Sequence, residues 1–113
     1  MNASGVIIHH PTTAPEALAA WQTLHTRLRQ ERPDYLLWSL GGDLDIVRAH
    51  IRAQPGEGSY RIIPLLMAPG KHLQEDIAHV VEALSAERPD IKLTQAPVLL
   101  EDPRFLEFWI AAL

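Results

Sequence analysis

The chain has 113 residues, 47% of them apolar, enough for a real core in one domain (residues 1–113) though small for an enzyme. Its net charge of -4 argues against nucleic acid as the partner, and the absence of cysteine excludes disulfides, thiolate metal sites and cysteine nucleophiles. No apolar run approaches the ~20 residues of a membrane span, and the first ten residues lack the basic segment and long apolar core of a signal peptide, so a cytoplasmic protein with no membrane partner is expected.

In chain order, Val6 to His9 reads as a short buried strand, with His9 to Thr13 as the loop at its carboxyl end. Thr13 and Glu16 have capping-box spacing and predict a helix start near Pro15. Leu18, Trp21, Leu24 and Leu28 give that helix its apolar face, and His25 lies at the edge of the face, where packing is expected. Pro33 ends the helix, because the residue before a proline avoids the helical region. Tyr35 to Leu40 is a second strand, stopped by Gly41-Gly42. Asp43 caps a shorter helix whose inner face is Leu44, Val47 and Ile51, while His50, between Arg48 and Arg52, reads as solvated. Residues 54–59, with Pro55, Gly56 and Gly58, form a loop.

The stretch from Tyr60 to Asp76 carries the most information. It begins as an apolar strand with Ile62, Ile63, Leu65 and Leu66, in which Pro64 is a misfit expected near the strand's end. Pro69-Gly70 break the strand, and a helical period follows at Leu73, Ile77, Val80, Val81 and Leu84. His72, Asp76 and His79 share a face away from that stripe. His72 therefore falls in the first turn of a helix after a buried strand, where open α/β sheets bind ligands. The positive end of the helix dipole disfavours imidazolium there, which leaves a histidine able to ligate a metal. His79 lies two turns along and reads as surface, with contact to a substrate as the lesser alternative.

Pro89 closes this helix, Ile91 to Ala96 is a fourth strand, and Asp102-Pro103 starts a last helix striped by Phe105, Leu106, Trp109 and Leu113. Trp21, Trp38 and Trp109 fall at core positions, and Lys71 and Arg104 read as solvated, with contact to substrate carboxylates as the lesser alternative for either.

Four strand-helix units joined by short loops imply a parallel sheet covered by helices on both faces. Glu-Arg-Pro-Asp at 31–34 and 87–90, each trailing an Ile-Ile pair, suggests two related halves. Equivalent halves would make the first and third strands neighbours, with a crevice where their carboxyl ends diverge. His9 or His10 would meet His72 there, a pair that suits a borderline divalent metal such as Co²⁺, Fe²⁺, Ni²⁺ or Zn²⁺. The alternative is two polar loop residues that happen to lie close together.

Residues 62–77, Ile-Ile-Pro-Leu-Leu-Met-Ala-Pro-Gly-Lys-His-Leu-Gln-Glu-Asp-Ile, resemble the signature of the sirohydrochlorin cobaltochelatase and ferrochelatase family. Ala-Pro-Val-Leu-Leu-Glu-Asp-Pro, residues 96–103, and the opening strand ending in histidine are similar to further parts of that family. The resemblance implies a three-layer α/β/α fold with a four-stranded parallel sheet in order 2-1-3-4. It implies a lyase that inserts cobalt, iron or nickel into a tetrapyrrole without a nucleotide, and a short form that pairs as a homodimer. By the same resemblance His72 and His10 are the metal-binding and catalytic histidines, with His9 where a glycine usually stands. A neutral imidazole can hold the incoming metal and then accept a pyrrole N–H proton. Asp76, one turn after His72, either orients it or only complements the helix dipole. Pro11 and Thr12 replace the glycine and small hydroxyl residue that usually follow the first histidine. Ser39-Leu40-Gly41 stand where a glutamate is usual. Rival readings are a non-catalytic homologue that carries metal or tetrapyrrole, or serves as a partner subunit, and a plain α/β interaction domain.

Overall fold

A computed structural model describes residues 4–56 and 58–113 of the protein; residues 1–3, at the terminus read for a targeting segment, and Glu57 of the predicted 54–59 loop lie outside them. The elements are β1 (Ser4–His9), α1 (Pro15–Glu31), β2 (Tyr35–Ser39), α2 (Leu44–Arg52), β3 (Ser59–Pro64), α3 (Lys71–Glu87), β4 (Lys92–Gln95), a 3-10 turn (Leu99–Glu101) and α4 (Pro103–Ala111). The strands form one parallel sheet in the order β2-β1-β3-β4, as predicted. No described helix is long and apolar enough to cross a membrane.

Local chemistry explains most of the boundaries. Asp43 and Asp102 each accept the backbone N–H two residues on, at 2.9 Å, and so start α2 and α4. The predicted Thr13–Glu16 box does not form. Ala14 is the N-cap residue, and the Thr12 hydroxyl instead accepts the Ala14 amide at 3.1 Å. Pro15 follows at the first helical position, where its missing N–H leaves one fewer donor to satisfy. Pro64 is the last residue of β3 and stands opposite Ile8, whose carbonyl accepts from the next amide, Leu65 N–H, at 2.8 Å, so the missing proline N–H costs the β1–β3 ladder no bond.

The two Glu-Arg-Pro-Asp segments adopt one turn geometry. Arg32 N–H donates to Leu28 O at 2.8 Å and Arg88 N–H to Leu84 O at 3.0 Å, and each arginine carbonyl then accepts from the amide three residues on, Tyr35 at 3.1 Å and Ile91 at 3.2 Å. The side chains diverge. Arg32 lies over the Tyr35 ring, whereas Arg88 donates to the Ile51, Arg52 and Gln54 carbonyls and so ties α3 to the end of α2.

Alternation along the strands sets two unequal faces. Val6, Ile8, Trp38, Tyr60 and Ile62 point to one, where Val47, Ile51, Ile77, Val80 and Leu84 of α2 and α3 bury them. Each fully buried aliphatic side chain there contributes about 1.5–3 kcal/mol. Ile7, Leu37 and Ile63 point to the other face and remain half-buried. α1 lies on that face and has no buried residue, and neither has α4, which packs chiefly on the 3-10 turn. The expectation of a core role for Trp109 is therefore corrected: it is 55% exposed, and Leu113 is 92% exposed.

Candidate functional site

The sheet opens at the carboxyl end of β1. His9 O accepts from Leu40 N–H on the β2 side, and Ile8 O from Leu65 N–H on the β3 side, each at 2.8 Å. Beyond these bonds the neighbouring chains separate, at the place where the strand order reverses. A cleft of about 490 Å³ lies there, and His10, His72, Asp76 and His79 are its titratable lining residues.

Strand parity separates the two adjacent histidines. Ile8 faces α2 and α3, so His9 faces α1, where it is buried and stacks on Trp21 with centroids 4.2 Å apart. His9 Nδ1 donates to His10 O at 2.7 Å, which fixes its tautomer because a carbonyl can only accept. His10, one residue beyond the strand, is exposed and lines the cleft.

Gly70 starts α3 without a side-chain cap, and the His72 side chain in its first turn is 97% exposed. Its nearest carboxylate is Glu75, with Nδ1 to Oε2 at 4.0 Å, too long for a hydrogen bond. Asp76 lines the same cleft one turn on. The far wall comes from the β2–α2 turn, where Gly41 takes φ +85°. A side chain at Gly42 would strike the Ser39 carbonyl and the Trp38 indole. Leu40, Gly41, Gly42 and Leu44 line this wall, and Trp38 presents its ring while its Nε1–H donates to Asp43 O at 3.1 Å. No carboxylate lines the wall. Among the described residues no three His, Asp or Glu side chains converge in a metal-holding group.

His79, for which surface is the first expectation and substrate contact the lesser one, lines the cleft. Its shared face with His72 and Asp76 was the available signal. The apolar Trp38 wall also went unread as part of the site. Two other histidines differ from expectation, both beside a smaller cavity of about 210 Å³ between α1, β2 and α2. His25 is exposed and not packed. His50 is half-buried and not solvated, with Nδ1 hydrogen-bonded to the Tyr60 hydroxyl at 2.7 Å. Burial pushes the His50 pKa down, against a smaller upward pull from Asp34, and pushes the Tyr60 phenol above its usual range.

A model of the CbiX family matches residues 4–113. The chain belongs to the CbiX family. This is the chelatase family that residues 62–77 resemble, and membership supports a metal-chelatase role toward tetrapyrroles. Among solved structures, a cobalamin (vitamin B12) biosynthesis CbiX protein from Marinobacter aquaeolei VT8 is similar over 97% of this chain and 92% of its own. The TM-score is 0.72 and the identity 19%, a likeness of fold. No curated protein matches the chain.

Proposed function

We propose that the protein, acting as one domain per copy, inserts a divalent metal (cobalt, iron or nickel) into a sirohydrochlorin-type tetrapyrrole. The observation that carries this reading is one cleft at the sheet's switch point lined by His10, His72 and Asp76, in a chain of the CbiX family. His10 and His72 hold the metal through neutral imidazole nitrogens, and Asp76, one turn along the same cleft and not bonded to His72 in this structure, closes on His72 as the metal binds. With no third protein ligand gathered among the described residues, coordination positions stay open for the tetrapyrrole nitrogens. The metal here is substrate, and it has to leave.

Insertion breaks two pyrrole N–H bonds. Both electron pairs stay on nitrogen and become metal–nitrogen bonds, and two protons depart as one M²⁺ enters. As the metal passes to the macrocycle, His72 is freed and accepts one proton; the other leaves to solvent through the open cleft. The apolar wall of Trp38, Leu40 and Leu44 offers a surface for a flat ring. In this reading two copies pair as a homodimer.

The wall without a carboxylate favours a second reading, a carrier that binds metal or tetrapyrrole without joining them. Mixing the protein with sirohydrochlorin and Co²⁺ or Fe²⁺ and following absorbance separates the two. Insertion faster than the protein-free control supports the chelatase; binding without acceleration supports the carrier.

A further inference from the structure

One cleft residue has no part in metal handling. His79 is exposed, seven residues beyond His72 on the same face of α3. At 1.5 Å of rise per residue, the two side chains are rooted about 10 Å apart along the helix axis. That is too far for both to hold one ion, and no three-ligand group forms among the described residues. His10 and His72 present lone pairs when they hold a metal, and Asp76 repels anions. The rest of the lining is apolar or glycine, with no lysine or arginine. His10 and His72 keep one ring N–H each beside the metal, whereas both ring nitrogens of His79 stand clear of it, toward the end of the cleft where the rim of a ring would lie.

We propose that His79 binds a carboxylate on the rim of the tetrapyrrole while the macrocycle's centre lies at His10 and His72. This deepens the chelatase reading and rests on its substrate. The separation along α3 suits a macrocycle lying against the helix, centre at one histidine and rim at the other. An imidazole N–H of His79 donates to the rim carboxylate, a charge-assisted contact. His79 thus selects acidic tetrapyrroles over uncharged ones of the same size.

The test is titration of the full chain with uroporphyrin, whose rim carries carboxylates, and with an uncharged porphyrin bearing polyether side chains. Quenching of tryptophan fluorescence reports binding, because Trp38 lines the cleft. His79→Ala should weaken uroporphyrin binding roughly tenfold, with uncharged-porphyrin and Co²⁺ affinities unchanged. His79→Gln, whose amide still donates, should recover most of the loss. Wild-type affinity of His79→Ala for uroporphyrin, or equal losses for both porphyrins, overturns the proposal. A wild type that binds uroporphyrin with this dependence but never metallates it leaves the proposal standing and defeats insertion alone. A wild type that binds neither porphyrin defeats both.

Discussion

His9 and His10 are neighbours with opposite fates. One is a packed residue with its Nδ1 proton committed to a carbonyl, and the other is free at the cleft mouth. The sequence made the pair visible but left the choice between them to a resemblance. Alternation from Ile8 puts His9 under α1, but only if the strand runs through His9, and that boundary depends on pairing with β2. His10→Ala should therefore weaken Co²⁺ binding at least tenfold while thermal stability holds. His9→Ala should leave Co²⁺ affinity intact and cost about 0.5–1.5 kcal/mol through its lost stack on Trp21. Calorimetric titration and thermal unfolding of both variants check this, and loss of Co²⁺ affinity in His9→Ala would contradict it.

Elements announced by their own chemistry were legible. Asp43 and Asp102 start helices where the sequence places them, and Pro64 ends its strand. What one element does to another was not legible. His50 sits between two arginines in sequence and reads as solvated, yet α2 turns it toward Tyr60 of β3, a contact set by tertiary packing. That contact carries a pH dependence. Burial lowers the folded-state pKa of His50 from its ordinary 6.5, so on acidification the unfolded chain takes up a proton before the folded one does. The contribution is fully present above about pH 6.5 and is lost as the pH falls toward the folded-state value. His50→Gln should be less stable near neutrality by roughly 1 kcal/mol, for the altered Tyr60 bond. It should also lose less stability than wild type on going to about pH 5. Parallel melting-temperature curves for the two proteins would rule this out.

At the scale of the whole molecule the sheet order was legible, because the repeated Glu-Arg-Pro-Asp halves make the first and third strands neighbours and the family resemblance implies the rest of the order. The exposure of α4 was not. Its stripe of Phe105, Leu106, Trp109 and Leu113 reads as a core face, but only Phe105 and Leu106 are half-buried, and Phe108, Trp109, Ile110 and Leu113 are all more than half exposed. The α1 face of the sheet is also thinly covered. Exposed apolar side chains gathered on one helix, as on α4, are the kind of surface a protein interface covers. A second copy with the same surface satisfies it through a two-fold axis. Light scattering at micromolar concentration should give the mass of two chains, and Trp109→Glu should shift it toward one. A wild-type mass of a single chain would remove the dimer.

The central claim is that the His72 cleft inserts a metal, and the most direct measurement is the initial rate of sirohydrochlorin metallation by wild type and His72→Ala side by side. His72 is solvent-exposed and off the buried Ile77, Val80 and Leu84 stripe, so its loss opens no core cavity and should change stability by less than ~0.5 kcal/mol. Wild type should accelerate metallation over the protein-free control, His72→Ala should run at the control level, and Asp76→Ala should fall between them, reduced by about 10–100-fold. A folded His72→Ala that metallates sirohydrochlorin as fast as wild type would contradict the central claim.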